Sequence, residues 1–356
     1  MKFRSAHILT LTCTGILSIC LLAACSRQTG SGSLTTWSEA TNTPEAPVFP
    51  SEELLPTPNE QFSAPDSTGA SETSPTAIPK QPTEVARIPT ATATAPVELR
   101  IAVIGDYGSG DSNAGDVARL VSSWSPDFIL TLGDNNYPSG AAETIDQNIG
   151  AFYHQYIAPY TGQYGPGADR PRFFPTLGNH DWDTDSGQAY LDYFELPGNE
   201  RYYDFTWGPV HIFALSSDSR EPDGVSRRSV QAEWLRERLA KSDRPWKLVI
   251  FHQSPYSSGL QGSVDWMRWP FQDWGASAVL SGHDHVYERL EVDGIPYFVN
   301  GLGGGEIYYF TTVLDESQAR YSDDYGAILI IANQTQLRFE FITRSGEVID
   351  RYEIIR

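Results

Sequence analysis

Five short apolar runs in the chain each end in a turn that contains Gly, Asp, Asn or His. The runs are rich in Val, Ile, Leu and Phe, which is typical of strands buried on both faces of a sheet. They occupy residues 99–105, 127–133, 172–178, 246–251 and 276–282. Two segments between them, 114–124 and 230–240, repeat apolar residues at helical spacing. This alternation predicts a layered α/β domain in which helices cover the sheets.

After Tyr287 the pattern changes to successive strand-like segments. Turn signals separate them at Asp293-Gly294, Asn333-Gln334 and Ser345-Gly346. We expect these strands to complete the sheets of the same domain. A separate all-β binding module at the C-terminal end of the chain is the alternative.

The polar residues that follow the five runs carry most of the information on function. In open α/β sheets, reactive groups gather at the carboxyl ends of the strands, where Gly allows sharp turns. The strand ends therefore bring carboxylates, amides, imidazoles and a phenol to one place. The candidate residues are Asp106, Asp134, Tyr137, Asn179, His180, His252, His283 and His285.

This set of side chains suits a metal site with oxygen and nitrogen ligands, and it lacks the thiolates of structural zinc or iron–sulfur sites. The number of donors favours two metal ions over one tetrahedral ion, and a carboxylate such as Asp134 can bridge the pair. Taken singly, an Asp after a strand is more often a helix N-cap than a ligand. Five strand ends in succession make coincidence a poor explanation. His154 and His211 lack this context, and we interpret them as structural.

Residues 1–24 have the pattern of a secretory signal peptide. A short basic start precedes an apolar stretch, Ile8 to Leu22, that falls short of the roughly 20 residues of a membrane-spanning helix. The sequence Leu-Ala-Ala-Cys that ends at Cys25 resembles the lipobox of bacterial lipoproteins. That resemblance implies cleavage before Cys25 and a lipid anchor on its side chain. An ordinary signal peptide that leaves Cys25 as a free thiol is the alternative.

Residues 25–97 have the composition of a disordered stalk. Residues 26–97 contain 11 of the 24 Pro residues and are otherwise dominated by Ser, Thr, Ala and Glu. Such a segment cannot bury enough surface to offset its ordering entropy. We therefore expect an exported lipoprotein on the extracytoplasmic face of a membrane, at the cell surface or in the periplasm, with its folded domain at residues 98–356. The net charge of -20 excludes binding driven by neutralisation of nucleic-acid phosphates.

The motifs at the strand ends resemble those of the calcineurin-like metallophosphoesterases, and specifically those of the purple acid phosphatases. The blocks are GDYG at 105–108, GDNNY at 133–137, GNHD at 178–181, FHQSPY at 251–256 and GHDHVYER at 282–289. The resemblance is specific up to residue 300 and weaker from there to the C-terminus. It implies a four-layer α/β/β/α sandwich.

The resemblance also implies a role for each matching residue. One metal ion would be bound by Asp106, Asp134, Tyr137 and His285. The other would be bound by Asp134, Asn179, His252 and His283. A tyrosine ligand implies Fe(III) at the first position, paired with Fe(II), Zn(II) or Mn(II). His180 would contact the phosphate or protonate the leaving group.

Two positions depart from the family pattern. Gly108 stands where other members of the superfamily often have a ligating His, and Tyr137 is expected to compensate. Gln261 stands nine residues after His252, where purple acid phosphatases commonly have another His. A Gln can donate a hydrogen bond to phosphate but cannot transfer a proton. We therefore expect Gln261 to contact the substrate and His180 to act as the acid.

The expected function is hydrolysis of a small phosphorylated substrate, a phosphomonoester, by hydroxide held between two metal ions. A phosphodiesterase or nucleotidase of the same superfamily is the first alternative. A non-enzymatic lipoprotein that binds phosphate or a polymer is the second, and the complete ligand set argues against it.

Overall fold

The computed structural model describes residues 98–356 of the chain. The predicted signal peptide, Cys25 and the predicted stalk lie outside the described residues. Within residues 98–356, no helix is both long enough and apolar enough to cross a membrane.

Thirteen strands and six α-helices form the described part of the chain. The strands are β1 (Leu99–Ile104), β2 (Phe128–Thr131), β3 (Phe173–Phe174), β4 (Tyr203–Trp207), β5 (Val210–Ala214), β6 (Trp246–Ile250), β7 (Ala278–Ser281), β8 (Tyr287–Val292), β9 (Ile295–Asn300), β10 (Ser317–Tyr321), β11 (Gly326–Ala332), β12 (Gln336–Thr343) and β13 (Val348–Ile355). The helices are α1 (Ser112–Ser123), α2 (Ala142–Ile145), α3 (Ala151–Tyr153), α4 (Asn179–Trp182), α5 (Gln188–Tyr193) and α6 (Val230–Lys241). Short 3-10 or π-helical turns lie at Asp146–Gly150, His154–Tyr156, Asp185–Gly187 and Asp265–Met267.

The strands form two mixed sheets. The first has the order β13-β12-β11-β1-β2-β3, with β1, β2 and β3 parallel and the other strands antiparallel to their neighbours. The second has the order β10-β8-β9-β7-β6-β5-β4, with β5, β6, β7 and β9 parallel. The strands that follow residue 286 enter both sheets, because β11 pairs with β1 and β9 pairs with β7.

The two sheets pack face to face, and a helix covers the outer face of each. Side chains alternate along β5: Ile212 belongs to the core between the sheets, whereas Phe213 packs in a second core with Leu235 of α6. On the opposite side of the domain, Leu329 of β11 packs against Leu120 of α1. This arrangement confirms the predicted four-layer α/β/β/α sandwich.

Each of the five apolar runs contains a strand, but the third strand is shorter than predicted. β3 comprises only Phe173–Phe174 at the edge of the first sheet, because Pro175 has no N–H to donate to a neighbouring strand. The hairpin of β4 and β5, which turns at Gly208 with a φ of 53°, is not among the predicted strands. The sequence does contain a strand pattern here, because apolar and polar residues alternate over Tyr203–Trp207 as in a half-buried strand.

The two predicted helices are present as α1 and α6. Helix α1 begins after Asp111, whose carboxylate accepts hydrogen bonds from the N–H groups of Asn113 and Ala114 at 2.9 and 3.1 Å. The Ser229 hydroxyl caps α6 by accepting from the N–H of Ala232 at 3.1 Å. The cap at Asp111 fixes the end of the loop that leads from β1 into α1. That loop carries the first of the candidate ligands.

Candidate metal centre

The candidate ligands lie together at the carboxyl ends of parallel strands from both sheets. Asp106 follows β1 and Asp134 follows β2 in the first sheet. His252 follows β6 and His283 follows β7 in the second sheet. Asn179 is the first residue of α4, which comes after β3. One site is therefore built from the facing edges of the two sheets.

Four side-chain atoms form the first group of donors: Asp106 Oδ1, Asp134 Oδ2, Tyr137 Oη and His285 Nε2. The Tyr137 hydroxyl lies 3.1 Å from both Asp134 Oδ2 and His285 Nε2, and 3.4 Å from Asp106 Oδ1. His285 Nε2 lies 3.2 Å from Asp106 Oδ1. The two carboxylates and His285 are all buried. Four polar atoms thus converge on one point inside the protein.

The second group consists of Asp134 Oδ1, Asn179 Oδ1, His252 Nε2 and His283 Nδ1. His252 Nε2 lies 2.9 Å from Asn179 Oδ1, 3.2 Å from His283 Nδ1 and 3.4 Å from Asp134 Oδ1. Asp134 presents one carboxylate oxygen to each group. The structure therefore brings together all seven of the predicted ligands, in the two sets that the resemblance implies.

The spacing within both groups is that of ligands around a common ion. Ligands that lie about 2.0–2.2 Å from a metal ion are about 2.8–3.6 Å from one another in tetrahedral or octahedral geometry. The distances of 2.9 to 3.4 Å in the two groups fall within that range. Carboxylate, imidazole, phenol and amide donors also suit first-row metals. The residues present fit two metal ions.

Three of the candidate ligands have a left-handed backbone conformation. The φ values of Asp106, Asp134 and His283 are 55°, 51° and 69°. A left-handed backbone conformation costs on the order of 1 kcal/mol for a residue other than Gly. It is kept only where the surrounding contacts enforce it. Asp106 Oδ2 accepts from the His283 N–H, and Asp134 Oδ1 accepts from the His180 N–H, both at 3.0 Å. These contacts hold both carboxylates in fixed orientations.

Backbone carbonyls orient two of the imidazole rings. His252 Nδ1 lies 2.8 Å from the Leu132 carbonyl oxygen, and His285 Nδ1 lies 2.6 Å from the Glu306 carbonyl oxygen. Because a carbonyl can only accept a hydrogen bond, Nδ1 carries the hydrogen and donates it. The Nε2 lone pair of each ring is left to act as a ligand.

The two groups strongly perturb the acidity of their members. Burial and the nearby Asp106 carboxylate raise the pKa of Asp134 to about 6. Burial opposes the ionisation of Asp106, but the attraction of His285 outweighs it and holds the pKa of Asp106 below its usual value. Burial opposes the protonation of His285, yet Asp106 raises the pKa of that imidazole to about 8. Burial and the neighbouring His252 lower the pKa of His283 to about 4. Cations at this site would relieve the repulsion between the carboxylates.

His180 lies beside the first group and is partly open to solvent. Its Nδ1 lies 2.6 Å from the Pro138 carbonyl oxygen, and its Nε2 lies 3.9 Å from Asp134 Oδ2. Its ring meets the Tyr137 ring edge to face, with the ring centroids 4.7 Å apart. The Nε2 atom therefore faces the donor groups, and the ring is accessible to a molecule that approaches from solvent.

Gln261 lies in the loop of residues 257–262, and its side chain is exposed. Its backbone N–H donates to Asp284 Oδ1 at 3.0 Å. Burial raises the pKa of the Tyr308 hydroxyl, and the nearby Gln261 side chain acts against that rise. The structure thus connects Gln261 to a tyrosine that the sequence analysis does not identify.

Gly108 leaves no room for a side chain at that position. A Cβ atom at Gly108 would lie 2.2 to 2.4 Å from backbone atoms of Asn135 and Asn136. The loop after β2 therefore occupies the space that a His at this position would need. The same loop carries Tyr137 into the first donor group.

Asp181 joins two of the ligand loops, and the sequence analysis does not identify it. Its buried carboxylate accepts from the Gly178 N–H at 2.8 Å and from the N–H and side-chain amide of Asn135 at 3.1 and 2.8 Å. These partners are the chain neighbours of Asn179 and Asp134. Burial and the Asp134 charge raise the pKa of Asp181 to about 7. Its place at the end of the GNHD block is the signal that could have revealed it.

Arg220 is a partly exposed residue that contacts the backbone of the second donor group. Its guanidinium donates to the Asn179 carbonyl oxygen at 2.8 Å, to Asp183 Oδ1 at 2.8 Å and to Asp218 Oδ1 at 2.7 Å. It therefore fixes the backbone of a candidate ligand. No motif surrounds Arg220 in the sequence, so only the three-dimensional structure reveals this role.

Comparison with known proteins gives consistent matches. Purple acid phosphatase 15 of Arabidopsis thaliana is 28% identical over 249 residues, which cover 58% of this chain and 45% of the plant protein. Human tartrate-resistant acid phosphatase type 5 is 26% identical over 243 residues, which cover 58% of this chain and 73% of the human protein. Among solved structures, purple acid phosphatase PPD1 from yellow lupin superposes with a TM-score of 0.58 at 20% identity, covering 73% of this chain and 54% of that one.

The sequence profile of the calcineurin-like phosphoesterase family matches residues 99–287, which is more than half of the chain. The chain spans less than half the length of the Arabidopsis relative. Its curated relatives include purple and tartrate-resistant acid phosphatases. The two sheets, the ligand-bearing strand ends and this match lead to one conclusion: the chain belongs to the calcineurin-like phosphoesterase family.

Proposed function

We propose that the protein hydrolyses phosphomonoesters at a centre of two metal ions. The observation that carries this proposal is the division of eight donor atoms into two groups that share the Asp134 carboxylate. A shared carboxylate sets two cations close together, and such pairs clamp a phosphoryl group. The relationship to acid phosphatases supports the same reaction class.

The first group would hold a trivalent ion and the second a divalent one. Burial and the Asp134 carboxylate raise the pKa of Tyr137 well above its usual value, so its phenol ionises only when a strong cation neutralises the charge. Phenolate oxygen favours hard ions, which supports Fe(III) at this position and Fe(II), Zn(II) or Mn(II) at the other. An Fe(III)–phenolate pair absorbs visible light. The absorption spectrum of the purified protein, together with its metal content, tests this assignment.

The bound ions would supply Lewis acidity, which lowers the pKa of water and neutralises charge on the phosphate. Side chains of the protein would position the substrate and transfer a proton to its leaving group. In its imidazolium form His180 donates Nδ1–H to the Pro138 carbonyl and can give its Nε2 proton to the oxygen of the leaving group as that oxygen gains charge. Hydrogen bonds to backbone N–H and carbonyl groups hold the carboxylates and imidazoles of the donor groups in place.

Replacement of Asp134 by Ala tests the proposal because it removes the one residue common to both groups. We expect loss of bound metal and a fall of p-nitrophenyl phosphate hydrolysis to background. Asp273→Ala, which removes an exposed carboxylate from the same chain, is the matched control and should keep both. Full activity in a metal-free Asp134→Ala protein would refute the proposal. Faster hydrolysis of bis(p-nitrophenyl) phosphate than of the monoester would instead assign a phosphodiesterase.

We also propose that this reaction takes place outside the cytoplasm, with the protein attached to a membrane by a lipid at Cys25. The signal-like residues 1–24 and the Pro-rich residues 25–97 support this setting. A small phosphorylated molecule is the proposed substrate.

A further inference from the structure

Two buried carboxylates hold the loop of residues 257–262 beside the metal centre. Asp284 accepts from the Ser257 hydroxyl at 2.6 Å and from the N–H groups of Gln261 and Gly262 at 3.0 and 2.9 Å. Glu288 accepts from the N–H and the hydroxyl of Ser258 at 2.7 and 2.6 Å. Burial of two carboxylates to fix a loop is unfavourable unless every bond is made. Five hydrogen bonds thus connect the loop to β8 and to the turn before it.

The same loop is paired with the segment of residues 308–311. Gly259 forms an antiparallel bridge with Phe310, and the Thr311 N–H donates to the Ser258 carbonyl oxygen at 2.9 Å. In this register Gln261 lies opposite Tyr308, and its side chain is near enough to the Tyr308 hydroxyl to oppose the rise in pKa that burial causes. Neighbouring pairs on such a ladder point to opposite faces. Tyr309, the next residue, is 62% exposed and lies on the other face.

Tyr308 is fixed against one of the candidate ligands. Its ring is stacked on His285 with centroids 4.2 Å apart and an interplanar angle of 5°, and its N–H donates to the His285 carbonyl oxygen at 3.0 Å. Burial raises the pKa of its hydroxyl, and the Asp106 and Asp134 carboxylates raise it further, as expected for a hydroxyl near the centre. The phenol therefore borders the first donor group, which His180 also borders.

We propose that the Tyr308 hydroxyl donates a hydrogen bond to an oxygen of the phosphate group bound at the centre, and that Gln261 is the residue that positions it. This inference rests on the proposed function, because it needs a phosphate at the centre. A phenol and an amide are neutral, so they can bind an anion without repelling the cations beside it. The rigid loop then has a purpose, which is to hold the Gln261 amide against the phenol.

Inorganic phosphate is the probe, and its binding to the metal-loaded full chain is measured by titration calorimetry at saturating metal. Tyr308→Phe keeps the ring on His285 and removes only the hydroxyl. We expect its phosphate affinity to fall about tenfold, the effect of one hydrogen bond to a charged acceptor. Tyr309→Phe removes a hydroxyl from the adjacent, outward-facing residue and should leave the affinity unchanged.

The role of Gln261 is tested by a double-mutant cycle. Gln261→Ala should weaken phosphate binding about threefold in the wild-type background and leave it unchanged in the Tyr308→Phe background, because its effect acts through the phenol. Wild-type phosphate affinity in fully metal-loaded Tyr308→Phe would overturn the inference. A wild-type protein that binds phosphate with the predicted Tyr308 dependence but hydrolyses no monoester would instead contradict the proposed function alone.

Discussion

Replacement of Asp284 by Asn tests whether a buried carboxylate holds the loop of residues 257–262. Asp284 is fully buried and accepts one hydrogen bond from the Ser257 hydroxyl and two from the N–H groups of Gln261 and Gly262. Asn has the same shape but offers a single acceptor oxygen beside an NH₂ group. At least one of the two backbone N–H groups must then lose its acceptor, whereas the Ser257 hydroxyl can rotate.

A buried N–H group without an acceptor costs about 1–3 kcal/mol, and the loss of charge from the bonds that remain adds about 1 kcal/mol. We therefore expect the free energy of unfolding to fall by about 2–4 kcal/mol. For a domain of this size the midpoint of thermal unfolding should drop by about 5–12 °C.

Urea unfolding followed by tryptophan fluorescence measures this difference, and the m-value reports whether the transition stays cooperative. Asp293→Asn is the matched control, because it makes the same exchange in the exposed turn at Asp293-Gly294, where Asn tolerates the φ of 52° equally well. That control should lie within about 0.5 kcal/mol of the wild type. If the free energy of unfolding of Asp284→Asn also lies within about 0.5 kcal/mol of the wild type, the loop does not depend on this carboxylate and the reasoning is wrong.

Three further predictions follow from the site and the sequence. Because the pKa of His285 is about 8 and that of Asp134 is about 6, His285 carries a proton at pH 7 and both groups carry one at pH 5. Zn²⁺ should therefore displace about one more proton at pH 5 than at pH 7; calorimetry in buffers of different ionisation enthalpy measures the difference, and equal proton release at both pH values would contradict it. Gly108→Ala should lower metal content and stability, because its Cβ would lie 2.2 Å from the Asn135 backbone; wild-type metal loading would show that the loop can yield. Cys25→Ser should shift the protein from the membrane fraction to the soluble exported fraction, and unchanged membrane association would rule out anchoring at that residue.

The sequence could group the candidate ligands because they lie in the loops or turns that follow predicted strands. Asp106 and Asp134 follow apolar runs directly, and strands that run parallel end at the same edge of a sheet. The short run before Asn179 still brings that residue to the same edge, although its strand has only two residues. A local pattern was sufficient because parallel strands bring residues that are distant in the sequence to the same edge of a sheet.

The residues around the ligands could not be predicted in the same way. Tyr308 reaches the centre only because its segment pairs with the loop of Gln261, and no local pattern encodes that pairing. Arg220 likewise acts through a backbone carbonyl, which has no signature in the sequence. Asp284 lies between two predicted ligands, yet its partners are in another loop. Such contacts join loops that are distant in the sequence, so only the folded structure reveals them.

The electrostatics of the centre give an independent reason to expect cations there. Asp106, Asp134 and Asp181 are buried near one another, and the first two also have a left-handed backbone. Buried like charges destabilise a fold, and apolar residues of similar size would pack there at no electrostatic cost. Asp106 and Asp134 each accept one hydrogen bond from a backbone N–H, which leaves the second oxygen of each carboxylate without such a donor. Metal ions that bind only the folded state would remove the repulsion, and they would stabilise the domain in proportion to the logarithm of their concentration. The buried carboxylates therefore destabilise the fold without metal ions and favour the binding of metal ions to the folded domain.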